Sequence, residues 1–158
     1  LPKNWASCWR MRAEPARRIV IDTNVWISGF LTKTGAPAIL SRWVVQNVQP
    51  VFSPDTFAEL KERLWRPKFD RYLAMDDRKR LLHNIDAIAY WVNVPSAISE
   101  KIYCRDKDDD KFIHAALAAQ ASLLVTGDND LLCLHPLDDL RILTPRAALD
   151  ELFPQASQ

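Results

Sequence analysis

The 158-residue chain has only three glycines, and none falls in a G-x-G-x-x-G or G-x-x-x-x-G-K-[ST] run. Both motifs use glycine to bring backbone amides close to phosphate, so dinucleotide and P-loop chemistry is not expected. Cysteine is equally scarce: Cys8, Cys104 and Cys133 are scattered, with no C-x-x-C pair. That pattern excludes a disulfide framework and a zinc knuckle, and free thiols in a reducing cytosol are expected. The three histidines, His83, His114 and His135, are dispersed and no H-E-x-x-H occurs, which argues against a histidine-rich zinc centre. No apolar run approaches the ~20 residues of a membrane span, and the N-terminus shows no signal-peptide core. No membrane association and a cytoplasmic location are therefore expected. An excess of one charge is also missing: 21 basic side chains stand against 20 acidic ones, for a net charge of +1. A polyanionic partner would have to be met by a local arrangement of cations.

What is present is a regular alternation of strand and helix signals. Arg18-Ile19-Val20-Ile21 is a continuous β-branched run, the pattern of a buried strand. Val25 to Leu31 reads as a helix, weakened by Gly29, and Pro37 opens another through about Gln46. Val51-Phe52 is a second strand. Ser53 then caps a helix with Pro54 at its first position, which Pro67 stops after about Arg66. Asp76 is the expected cap of the next helix, and Trp91 to Val94 the third strand. Asp110 to Ala121 reads as a helix, Ser122 to Thr126 as strand four, Asp128 to Leu132 as a single turn, Leu140 to Leu143 as strand five, and Pro145 to Leu152 as the last helix. The expected fold is three-layer α/β/α around a parallel sheet of about five strands. Residues 1–17, with Trp5 and Trp9, are expected to be an N-terminal arm, 18–152 the domain, and 153–158 a tail.

Ligands of open parallel sheets bind beyond the carboxyl ends of the strands. Asp22 follows strand one directly and Asp128 follows strand four, so both fall at that edge. Asp110 at a helix start and Glu59 on a helix have ordinary uses, as a cap and a solvated acid. As a set the four acids read differently. Carboxylates within ~4–6 Å raise each other's pKa, and they stay charged together only with a cation among them. Hard oxygen ligands select Mg²⁺ or Mn²⁺, in a site of one metal or two. Such a site can polarise a phosphodiester and activate water.

Four motifs in order resemble a PIN domain: Ile21-Asp22-Thr23-Asn24; Ser53-Pro54 followed by Ala58-Glu59-Leu60; Asp106-Lys107-Asp108-Asp109-Asp110; and Val125-Thr126-Gly127-Asp128-Asn129-Asp130. Arg66-Pro67-Lys68 and Arg141-Ile142-Leu143-Thr144-Pro145 are similar to the bacterial group of PIN-like toxin components of toxin–antitoxin pairs. The resemblance spans roughly residues 18–150. It implies a metal-dependent ribonuclease with Asp22, Glu59, Asp110 and Asp128 as catalytic acids and ligands of Mg²⁺ or Mn²⁺. Asn24 and Thr126 would orient ligands or water. Asp110 is preferred over Asp109 and Asp106 because it immediately precedes the apolar helix. Two uses compete for Asp130, an auxiliary ligand and a cap of the following turn. Arg63 and Arg66 lie four and seven residues after Glu59, on its helix face, and either hold substrate phosphates or belong to a solvated face with Lys61 and Glu62. Lys33, Lys107 and Lys111 are further cation candidates. Trp26 and Trp43 are expected in the core. The resemblance also implies an RNA substrate, a small antitoxin partner and a homodimer.

Three other functions use a similar strand-end aspartate or the same fold. A haloacid-dehalogenase-like phosphatase needs a second aspartate where this chain has Asn24. A receiver-type phosphoacceptor needs paired acids at strand one and a strand-end lysine, and neither pattern is present. A non-catalytic PIN-like module binding nucleic acid or protein is the alternative to the enzyme, although all four acids are there.

Overall fold

The structure is a computed structural model and describes residues 17–153. The expected N-terminal arm, with Trp5, Trp9 and Cys8, and the last residues of the expected tail lie outside the described residues. Five strands, β1 (Arg18–Ile21), β2 (Gln49–Phe52), β3 (Tyr90–Trp91), β4 (Leu123–Val125) and β5 (Arg141–Leu143), form one sheet in the order β3-β2-β1-β4-β5, parallel throughout. Among the described residues there are eight α-helices, seven between strands and the last after β5: α1 (Thr23–Leu31), α2 (Ala36–Asn47), α3 (Pro54–Leu64), α4 (Met75–Ile88), α5 (Ser96–Ser99), α6 (Asp110–Ala118), α7 (Asn129–Leu132) and α8 (Pro145–Leu152).

The alternation of side chains along each strand divides the core into two layers. Ile19, Ile21, Leu123 and Val125 join Trp26 of α1, Leu40 of α2, Leu60 of α3, Ile85 of α4 and Leu149 of α8 on one face. Val20, Leu124 and Ile142 join Phe112 and Ile113 of α6 and Leu131 of α7 on the other. This is the expected α/β/α sandwich, and both faces of the sheet are dry, which explains strands that are apolar without interruption. Trp26 is in the core as expected, while Trp43 is partly buried at its edge, edge-to-face with Phe153.

Several element boundaries differ from the sequence expectation, and four of the differences show how the chain sets its element ends. α3 ends at Leu64 rather than Arg66, because Pro67 excludes the helical region for its predecessor and Arg66 is extended (φ −62°, ψ 138°). α4 starts at Met75 behind Ala74, and Asp76 lies in the first turn, where it complements the helix dipole without capping. β3 is Tyr90–Trp91, so only the first residue of the expected strand belongs to it; the main-chain bond from Val92 to Phe52 is the last along that edge. α6 ends at Ala118, and Gln120 beyond it takes a left-handed backbone (φ 52°) that stops the helix.

The chain runs from β1 outward to β3, then returns to the opposite side of β1 with β4. Neighbouring β1 and β4 therefore feed connections that leave in opposite directions. The gap beyond their carboxyl ends is the topological switch point, the place where this architecture leaves a crevice.

Candidate metal centre

Asp22 and Asp128 each serve as the N-cap of a helix that starts at this crevice. The Asp22 carboxylate accepts from the Asn24 amide at 3.3 Å and caps α1. The Asp128 carboxylate accepts from the Asp130 amide at 2.9 Å and caps α7. Buried Thr126 ties the two together. Its hydroxyl donates to the second Asp22 oxygen at 2.8 Å and accepts the Asp128 amide at 3.0 Å. Asp22 is itself buried, and burial pushes its pKa up despite the lowering bonds from Thr126 and Asn24.

A third part of the crevice wall comes from the segment 103–111. The side chain of Asp106 caps a short 3₁₀ turn (Lys107–Asp109) that runs directly into α6. This turn brings Asp109 to Asp128 and Asp130. One carboxylate oxygen from each of these three acids lies within 4.8 Å of the others. Burial, and then the Asp128 carboxylate beside it, push Asp109 up to about 7. Three half-buried carboxylates so close carry excess negative charge, and oxygen donors of this kind suit a hard divalent cation.

Asp110 faces elsewhere. It is buried, and its Oδ1 accepts the backbone amides of Tyr103 and Cys104 at 3.1 and 2.7 Å. The two bonds pin the preceding loop to the start of α6. Among the described residues it is Asp109, not Asp110, that joins Asp128 and Asp130 in the three-acid group. No local sequence pattern separates Asp109 from Asp110, since adjacent residues of any helical turn point in different directions. Burial and the neighbouring Asp110 carboxylate also hold the Cys104 thiol far above its ordinary range, so it stays protonated.

Glu59 projects from α3 toward the same crevice and is surrounded by donors. It pairs with Arg63 one turn later, accepts from the Thr23 hydroxyl at 3.1 Å and lies 3.5 Å from Lys111 Nζ. Lys111 also reaches Asp108 at 3.2 Å. Arg63 further donates to the Asn24 side chain at 3.0 Å, so α3 and α1 are tied together beside Asp22. Arg66 pairs instead with Glu62 on the exposed face of α3. Thr23 and Lys111 are thus the partners that sequence spacing did not rank. A cleft of about 630 Å³ opens in front of Glu59, with Arg63, Arg66, Lys107, Lys111 and His114 among its lining residues.

The chain is similar to known proteins along most of its length. A sequence model of the PIN domain matches residues 18–130. An uncharacterized protein of Methanocaldococcus jannaschii is 29% identical over 144 residues, covering 85% of this chain and 90% of that protein. Among solved structures, PAE2754 from Pyrobaculum aerophilum shares the fold with a TM-score of 0.60 and 17% identity, covering 90% of this chain and 99% of the other. VapBC2 from Rickettsia felis, solved bound to a DNA fragment from their promoter, matches with a TM-score of 0.52 and 12% identity over 79% of this chain and 96% of the other. FitAcB from Neisseria gonorrhoeae gives a TM-score of 0.50 and 19% identity over 81% and 98%. With the match covering all four acidic motifs, the chain belongs to the PIN-domain family, whose members are generally nucleases.

Proposed function

We propose that the protein is a metal-dependent ribonuclease that hydrolyses RNA phosphodiesters to 5′-phosphate and 3′-hydroxyl ends. The observation that carries this reading is the convergence of Asp109, Asp128 and Asp130 at the switch point beside Asp22. A divalent cation there, Mg²⁺ or Mn²⁺, would polarise the phosphodiester and make water a better nucleophile. The ligands in this reading are Asp109, Asp128 and Asp130, with Asp22 adjoining them through Thr126. Asp109 takes the role that the family resemblance implied for Asp110, and Asp110 holds the loop that aims it.

The protein's own groups divide the remaining work. Asp22, fixed by Thr126 and the Asn24 amide, would accept the proton of the water that attacks phosphorus, while the bond to the 3′ oxygen breaks and that oxygen takes a proton from solvent water to become the hydroxyl. Glu59 keeps Arg63 and Lys111 at the crevice, and the substrate phosphates draw those two cations toward themselves. Asn24 holds Arg63 in register with Asp22.

We also assign the protein, a cytosolic homodimer in this reading, to the toxin side of a toxin–antitoxin pair, with a small antitoxin as its partner. The support is the motif resemblance and the fold shared with VapBC2 and FitAcB. No helix among the described residues is long and apolar enough to cross a membrane. The decisive assay is cleavage of single-stranded RNA with Mg²⁺ or Mn²⁺, with EDTA and Asp128→Asn as controls. Cleavage that survives either control sinks the enzyme assignment. For the partner, co-purification with the product of an adjoining small reading frame is the test.

A further inference from the structure

A second concavity lies directly beside the acidic crevice. We propose that it is a nucleotide subsite for single-stranded RNA flanking the scissile phosphate, with a base against Phe69 and the adjoining phosphate between Arg66 and Lys68. This rests on the ribonuclease reading above and assigns the residues that would hold the nucleotide next to the scissile phosphate.

The groove encloses about 290 Å³ between α1 and the turn that follows α3. Buried Ile27 and half-buried Leu31 and Phe69 supply its apolar side, and Arg63, Arg66 and Lys68 its charge. No acid lines it. The larger cleft, by contrast, is faced by Asp55, Glu59, Glu62 and Asp108. An apolar wall with an aromatic ring, whose charged neighbours are all cations, matches the two halves of a nucleotide, a flat base and an anionic phosphate. A bare anion would have no use for the apolar wall, and an apolar peptide segment none for three cations.

Position and size argue for a strand running out of the catalytic crevice. Asn24 lines the groove two residues beyond Asp22, and Arg63 lines both concavities. Arg63 also donates to the Asn24 side chain, so the groove adjoins the segment that carries Asp22. The volume sits at the lower end of small-ligand pockets, room for one unstacked nucleotide and not for a base pair.

The cations are available for exchange. Arg66 is held only by Glu62 at 3.3 Å on an exposed face, a pairing that contributes little. Lys68 forms no ion pair among the described residues, and its Nζ lies 5.1 Å above the Phe69 ring centroid. A cation at that height shows that the ring face is reachable. Moving Lys68 onto a phosphate exchanges a weak contact for a charged one and opens the face for a base.

The test is fluorescence anisotropy of a short labelled single-stranded RNA with the whole chain in EDTA, where binding is read without cleavage. Lys68→Glu is expected to weaken binding about tenfold or more and to make the salt dependence shallower. Phe69→Ala is expected to weaken it by roughly five- to a hundredfold, and Phe69→Tyr, which keeps the ring, to retain it. Lys68→Glu, at an exposed position, should melt like the parent protein and bind Mn²⁺ alone equally well. If Lys68→Glu and Phe69→Ala bind RNA within about twofold of the parent and cleavage persists, the subsite is overturned while the ribonuclease stands. Loss of RNA binding in both variants with no cleavage by the parent upholds the subsite and removes the enzyme. A parent chain that binds no RNA removes both.

Discussion

Asp109 and Asp110 are adjacent, and the rotation of about 100° per helical residue sends their carboxylates to different surroundings. Asp109 meets Asp128 and Asp130, whereas Asp110 turns inward to two backbone amides. Substitutions should separate them. Asp109→Asn removes a repelled charge, so the metal-free protein should melt at a slightly higher temperature while Mn²⁺ affinity and RNA cleavage fall by tenfold or more, on the order of a metal-ligand loss. Asp110→Ala leaves two amides without their acceptor and should cost about 1–3 kcal/mol in denaturant unfolding. The reverse pattern would return the ligand role to Asp110. Asp109 also sets a pH dependence. Its pKa, raised by burial and by Asp128 to about 7, means that folding favours its protonated form. The stability this contributes is present below the ordinary aspartate range and is lost as pH rises from about 4 through about 7. A divalent cation competes with that proton, so thermal stabilisation by Mn²⁺ should be small at pH 5.5 and larger at pH 8. Equal metal shifts at both values would contradict the placement of Asp109.

At the scale of elements, α1 and α3 carry Asp22's neighbours and Glu59, and their geometry depends on local devices. Ser53 and Thr56 form a reciprocal cap at the start of α3. Losing it through Ser53→Ala should cost about 1 kcal/mol and loosen the helix that presents Glu59. Gly29 looked like a weakness in the α1 sequence. The packing explains it: a methyl group there would stand 2.9 Å from the Pro37 carbonyl oxygen and closer still to Ser41 Oγ. Gly29→Ala should therefore destabilise by about 1–3 kcal/mol in chemical denaturation, the cost of overpacking, although alanine is the better helix former. A neutral or stabilising result would mean that α1 and α2 can separate freely. The strands and the proline-led helices were legible from β-branched runs and from Pro37, Pro54 and Pro145. A third strand was legible too, but not its two-residue extent, because an edge strand that short is decided by its pairing with β2 and not by its own side chains.

For the whole molecule, two buried apolar layers cover the sheet while the crevice gathers like charges that repel one another without a cation. Binding a cation to the folded state alone should raise stability by about 2.7 kcal/mol at a hundredfold excess over Kd. For a chain of this size that is roughly 5–10 °C in melting temperature. Calorimetry with Mn²⁺, reversed by EDTA and absent in Asp128→Asn, checks it. No shift with metal would leave the three acids as a solvated cluster.

The amino-acid sequence alone determined the parallel α/β/α plan, the placing of Asp22 and Asp128 at strand ends, and the family resemblance, because these depend on periodicity and on local spacing. Only the tertiary structure decided which acid of Asp108-Asp109-Asp110 meets Asp128, that Glu59 is engaged by Thr23, Arg63 and Lys111, and that an uncharged-to-cationic groove adjoins the crevice. Those outcomes depend on the rotation of single side chains and on approach between residues far apart in the chain, which no local pattern specifies.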